Sequence, residues 1–234
     1  MPTRKRPIAA FVQKQFAAKA DAGKAVEMAA YMKTEMPFYG IQKPDRLPVY
    51  KQLAKMFPAS NKGDYEENIL ALWNLPHREE KYAALEYACM FPDHVSERSI
   101  ELYEHLIRSG AWWDFVDVVA INLVGHAYRN ERKKIYPIIE KWTGDRDMWI
   151  RRTSVICHNH HKGETDEKQL FRTSLKLCPE KEFFIRKGIG WALREYSYVA
   201  PDSVHSFVHK HKDKLSPLTF RESMKQLLRS GMYN

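Results

Sequence analysis

Four tryptophans, Trp73, Trp113, Trp149 and Trp191, stand 40, 36 and 42 residues apart. Each falls in a stretch whose apolar residues recur at helical spacing, with a further helical stretch before the next one. Alternation of period two between turn dipeptides, the mark of strands, is nearly absent. A chain patterned in this way folds as an all-α protein. Paired helices recurring at about forty residues are the mark of HEAT- or armadillo-like arrays. Stacked pairs curve, and a curved array exposes a concave surface wide enough for an extended ligand. The expected architecture is a HEAT-like helical-repeat solenoid, one domain over residues 1–234.

The periodicity predicts helices over residues 8–20, 25–36, 50–57, 65–75, 79–90, 96–108, 113–128, 135–142, 147–158, 167–178, 183–198, 203–211 and 219–228. Pro37, Pro76, Pro92 and Pro179 mark stops, and Pro44 and Pro48 flank the short third segment. Asp64 is placed to cap the helix that follows it, and Gly110 stands where a C′ glycine belongs.

The chain carries 38 Lys and Arg against 29 Asp and Glu, a formal charge of +9. That balance favours an acidic partner, nucleic acid before an anionic membrane. Cys89, Cys157 and Cys178 are odd in number and widely spaced, so no disulfide framework is expected and a reducing cytoplasm fits. The apolar run after the basic start ends at Gln13, too short for a signal peptide. No stretch is long enough to span a bilayer. A cytoplasmic protein without membrane attachment is expected.

The most unusual stretch is Trp112-Trp-Asp-Phe-Val-Asp117. On a helix Trp113 and Asp117 share a face one turn apart, an indole beside a carboxylate. Buried, the acid needs a partner; in a groove, the two attract a cation together. Trp149 with Arg152 and Trp191 with Arg194 repeat the pattern with cations, which suits phosphate oxygens. Asp114 falls in the first helical turn and is assigned to the helix dipole, and Glu195 to an ion pair with a neighbouring helix. Lys133, Lys134, Arg151, Arg152, Arg186, Lys187 and Arg194 form a basic set, some of which should track an anionic backbone. Cys157, His158, His160 and His161 match no zinc spacing and read as a solvated loop without metal. Gly188-Ile-Gly190 lies within a helix pattern and has no preceding strand, so no nucleotide cofactor is expected.

Ala30-Tyr-Met-Lys33, Phe38-Tyr-Gly-Ile-Gln-Lys-Pro44, the Trp112–Asp117 stretch, Trp149-Ile-Arg-Arg152 and the run from Lys181 to Tyr196 occur in register. Together they resemble the AlkD-type bacterial alkylpurine DNA glycosylases, from about Phe11 to the C-terminal region. The resemblance implies a HEAT-like solenoid that cradles duplex DNA and acts as a monomer without cofactor or metal. It implies hydrolysis of the N-glycosidic bond of N3- or N7-alkylated purines, with the lesion engaged through sugar and backbone rather than in a base pocket. By that resemblance Asp117 matches the catalytic aspartate, and Trp113 and Trp191 the tryptophans against the damaged nucleotide. Arg152 and Arg194 match DNA-contacting arginines, and Tyr31 a tyrosine near the lesion. Lys187 joins them as a DNA contact. Trp112 and Asp114 match positions without an assigned catalytic role.

Overall fold

The structure, a computed structural model, describes residues 6–231. The described residues contain no strand. They divide into two compact units, one ending at His94 and the other beginning at Val95.

The first unit holds α1 (Pro7–Ala17), α2 (Ala22–Met32), α3 (Lys43–Met56), α4 (Lys62–Trp73) and α5 (Arg78–Cys89). Ile8, Val12 and Phe16, one per turn, form the fully buried stripe of α1, which packs on α3, α4 and α5. Helix α3 begins seven residues before the expected start at Tyr50, because Pro44 occupies the first turn, where its missing N–H has no partner to lose. Pro48 sits inside the helix and removes one bond without ending it. The cap of α4 is Asn61, which accepts from the Asp64 amide at 2.9 Å, so Asp64 is the capped residue and not the cap. Trp73 is core, 3% exposed, with the Lys81 ammonium 5.2 Å over its ring.

The Phe38–Pro44 motif is held by two buried carboxylates at the start of α5. Glu79 accepts from the amides of Tyr39, Gly40 and Ile41 at 2.9–3.0 Å. Glu80 accepts from the Tyr39 hydroxyl at 2.9 Å and the His77 amide at 2.7 Å. Both are 0% exposed. Such acids are tolerable only when fully hydrogen-bonded. Gly40 lies at φ 86, and a Cβ there would stand 2.0 Å from the Asp21 carbonyl oxygen, so no other residue fits.

The second unit holds α6 (Ile100–Gly110), α7 (Trp113–Val118), a π-helical segment (Val119–Val124), α8 (Gly125–Asn130), α9 (Arg132–Trp142), α10 (Met148–Ile156), α11 (Glu167–Leu177), α12 (Phe183–Ser197), α13 (Pro201–Lys210) and α14 (Pro217–Arg229). Helix α10 packs against α6, α7, α9, α11 and α12, and α12 in turn against α13 and α14. This is the stacked, HEAT-like order of helix pairs. Gly110 is the last residue of α6 rather than its C′ residue; the left-handed position is Ala111, φ 36, whose amide closes on the Ile107 carbonyl at 2.9 Å. From Trp113 to Asn130 the helix is unbroken, and its middle widens into the π segment.

The histidine cluster is not a solvated loop. Cys157, His158 and His161 are 0–3% exposed, and only His160 faces solvent. His160 and Lys162 take left-handed φ angles of 68° and 53°, turning His161 inward, where its Nε2–H donates to the Gly125 carbonyl at 2.8 Å. Tyr128 packs against both buried rings, at 5.5 and 5.7 Å, and its hydroxyl donates to Gln169. Among the described residues, no group of three or more metal-ligating side chains stands together. No helix there is long and apolar enough to cross a membrane.

Burial, reinforced by the neighbouring histidine, pushes His158 down to about 3. Burial likewise pushes His161 down to about 4. In an unfolded chain both titrate near 6.5, so between these values the unfolded state binds more protons. The stability that these two histidines contribute is therefore present above pH ~6.5 and is lost as pH falls toward ~4 for His161 and ~3 for His158, by up to about 1.4 kcal/mol per pH unit for each group. The melting temperature should drop across that window, and less steeply in a His158→Phe variant. Parallel curves for the two proteins would show that His158 titrates freely in the fold.

Candidate functional site

The site is built at the junction of α7, α10 and α12. Ala111 and the extended Trp112 turn the chain sharply from α6 into α7, and Trp112 serves as the N-cap position. Trp113 and Asp117 then lie one turn apart on α7, both partly exposed. Asp117 closes the last turn before the π segment, a feature that recurs at functional sites.

The Asp117 carboxylate has a bidentate partner. Arg152 of α10 donates Nε to Oδ1 at 2.8 Å and Nη2 to Oδ2 at 2.9 Å. The arginine side chain is only 4% exposed and the aspartate 17%, so the guanidinium stands behind and the carboxylate in front. The third edge of Arg152 donates to the Phe184 carbonyl of α12, and its charge lies 5.9 Å from the Phe184 ring. Gly188, one turn further along α12, makes room for it: a Cβ there would stand 3.0 Å from Arg152 Nη1. Each nitrogen of the Arg152 guanidinium thus has an acceptor inside the protein. The expected fork from Arg152 onto phosphate oxygens is, in this structure, a fork onto Asp117.

Behind the ion pair lies an aromatic wall. Trp149 is 7% exposed and packs 6.1 Å from Trp112 and 5.0 Å from Phe184. Trp149 therefore belongs to the core, and it does not share the partly exposed placement of Trp113 and Trp191. On α12, Phe184, Gly188, Trp191 and Glu195 follow one another at spacings of four, three and four, which puts them on one stripe. Trp191 is partly buried on the core of α10–α14, and its indole N–H donates to Glu195 at 3.2 Å. Glu195 thus serves its own helix rather than an ion pair with a neighbour.

Arg194 donates to Glu222 of α14 at 2.6 Å. Burial raises the Glu222 carboxyl, but Lys225 and Arg194 outweigh it and hold the group below the usual glutamate value. Lys187 is exposed, with its ammonium 5.6 Å from the Phe183 ring. Lys187, Trp191 and Arg194 share a stripe, at spacings of four and three. Tyr31 belongs to the first unit, on α2, and is 77% exposed. Asp114 occupies the first turn of α7.

The sequence model of the DNA alkylation repair enzyme family matches residues 12–227. The chain belongs to this family. Among solved structures it is similar to a predicted DNA alkylation repair enzyme from Enterococcus faecalis, at 29% identity and a TM-score of 0.82, over 89% of this chain and 96% of that one. AlkD2 from Streptococcus mutans matches with a TM-score of 0.59 and 16% identity, over 76% and 88% of the two chains. A further protein from Streptococcus mutans UA159 matches at 0.59 and 19%, over 78% and 94%. At those identities the last two share the fold. No curated protein matches. DNA alkylation repair is therefore the family's activity within which the site is to be understood.

Sequence reasoning gives Asp117 and Arg152 each a tryptophan one turn away without joining them, and it misses Phe184 and Gly188 as supports of Arg152 and Glu222 as the partner of Arg194. The spacing of Phe184, Gly188 and Trp191 carries a signal for the shared stripe; nothing in the sequence pairs Arg194 with Glu222. Since the guanidinium is buried, truncating its partner leaves an uncompensated cation. Asp117→Ala should cost about 3 kcal/mol in urea unfolding, whereas Gly188→Ala, which crowds Arg152 without removing a charge, should cost about 1 kcal/mol. Equal stability of Asp117→Ala and the parent would mean the pair does not hold Arg152 in place.

Proposed function

We propose that this protein is a monofunctional DNA glycosylase that hydrolyses the N-glycosidic bond of cationic N3- and N7-alkylpurines in duplex DNA, such as 3-methyladenine and 7-methylguanine. The observation that carries the reading is the outward-facing Asp117 carboxylate, fixed in its plane by a buried guanidinium and flanked one turn away by Trp113. The similarity to an Enterococcus faecalis predicted DNA alkylation repair enzyme supports it.

An alkylated purine already carries a positive charge, so it leaves without acid catalysis. The electrons of the C1′–N bond pass to the ring and neutralise it, and positive charge builds on the sugar at C1′ and O4′. A preorganised carboxylate stabilises that charge without reorganising during the reaction. Each Asp117 oxygen spends one lone-pair direction on Arg152 and keeps another for the sugar or for an attacking water. The water adds to C1′ and loses its proton, giving an abasic sugar and the free base. Indole faces at Trp113 and Trp191 add about 0.5–2 kcal/mol of cation–π attraction each, if they reach the same sugar. The hydrogen bond from Trp191 to Glu195 holds the indole plane in one orientation.

In this reading Arg152 acts through Asp117, while Lys187, Arg194 and Tyr31 contact the DNA. Duplex containing 7-methylguanine should release free base with the parent protein. Asp117→Asn should bind the duplex and release the free base at least about a hundredfold more slowly. Lys187→Ala should weaken binding and lower the salt slope by about one, because Lys187 is exposed and has no ion pair among the described residues. Binding without release by the parent would instead make the protein a non-catalytic reader of damaged DNA, and parental release by Asp117→Asn would remove the carboxylate from the chemistry.

A further inference from the structure

The first unit contains a pocket of about 350 Å³ opening between α2, α3, α5 and the loop that follows α2. Met28, Met32, Phe38 and Tyr82 supply apolar walls, and the exposed Tyr31 stands at its edge. Gln42 adds an amide and the exposed Glu27 a carboxylate. Arg46 completes the lining, and it is the group that the fold does not explain.

Arg46 is 7% exposed, with its guanidinium 4.4 Å above the Tyr82 ring. Its Nε and Nη1 are buried and meet no acceptor, and it forms no ion pair among the described residues. The adjacent Tyr50 phenol supplies no counter-charge, since burial pushes its ionisation far above the ordinary range despite the arginine beside it. The contrast with Arg152 is direct: one buried guanidinium has a bidentate carboxylate and a carbonyl, the other the Tyr82 ring face and the neutral Tyr50 phenol. A buried cation left unpaired costs several kcal/mol, and groups of this kind call for an explanation.

We propose that this pocket binds a purine base that presents a carbonyl and a ring nitrogen on one edge, as guanine does with O6 and N7. A guanidinium reads that edge in DNA. Methionine and aromatic walls suit a flat ring, through sulfur–aromatic and stacked contacts. A bare phosphate fits poorly, because the walls would strip its water while a single arginine answers its charge. The base could arrive as a free nucleoside or unstacked from a DNA strand; the recognising chemistry is the same. This site lies in the first unit and does not depend on base release at Asp117, which is assayed separately.

The test is titration of the full chain, labelled at its methionine methyl groups, with guanosine. The Met28 and Met32 signals should shift saturably with guanosine and inosine, less with adenosine, and not with inorganic phosphate. Arg46→Met should lower guanosine affinity roughly ten- to a hundredfold without lowering the melting temperature, since it removes an unpaired buried charge. Met28→Trp fills the pocket, keeps Arg46, and should abolish the shifts. Displacement of guanosine by a duplex with a bulged guanine, but not by a fully paired one, assigns the source to DNA; binding without displacement assigns it to free purine. Absence of guanosine shifts, the same shifts with phosphate alone, or full affinity in both variants would each overturn the proposal.

Discussion

The pairing of Arg152 with Asp117 is the interaction on which the second unit's site depends. It joins α7 to α10 through two hydrogen bonds, and the Phe184 carbonyl extends the same guanidinium to α12. Three helices from distant parts of the chain are thereby registered by a single side chain. A surface ion pair contributes little to stability, but this one is backed by a layer of Trp112, Trp149 and Phe184. Its hydrogen bonds are protected from water, so its geometry is held firmly. The difference in exposure between the partners, 4% against 17%, gives the pair a direction: the cation is structure and the anion faces outward.

The first unit uses charge in the same manner with the sign reversed. Glu79 gathers three backbone amides from the Tyr39–Ile41 loop, and Glu80 ties that loop's tyrosine to the cap of α5. The Phe38–Pro44 motif is therefore a loop wrapped around a buried carboxylate, with Gly40 supplying the conformation that lets it wrap. The amides supply what a counter-ion would otherwise provide.

Helix type and order are legible in the sequence because apolar periodicity is a local property. The helix beginning at Trp113, the stop at Pro179 and the helical setting of Gly188 and Gly190 all follow from it. What is not legible is set by distant partners. The burial of His158 and His161 depends on two left-handed residues and on a carbonyl of α8, none of which has a local signature. The π segment after Asp117 leaves no trace in an apolar run that reads equally well as α-helix. The three tryptophan pairs look alike in spacing, yet Trp149 is core while Trp113 and Trp191 are partly exposed, because rotation of a helix about its axis is decided by what packs against it. Arg152 is the sharpest case: its position in the chain is that of a surface arginine one turn from an aromatic, and only Asp117 and Gly188 together explain its burial.

The same pairs change what the net charge of +9 means. Arg151 is forked onto Glu180, Arg152 onto Asp117, Arg194 meets Glu222 and Lys134 meets Glu131. The arginines that the motifs single out are thus largely neutralised by the fold itself. The surplus lies with side chains such as Lys133 and Lys187, which are exposed and form no ion pair among the described residues. A diffuse excess of this kind attracts a polyanion over a distance of about a Debye length, roughly 8–10 Å at physiological salt. On the proposed reading it draws DNA in without contesting the Asp117 carboxylate. Were Arg152 free to seek phosphate, Asp117 would lose both its orientation and the one partner that makes its desolvation tolerable. Holding Arg152 in place therefore protects the acid, and the long-range attraction is left mainly to exposed lysines.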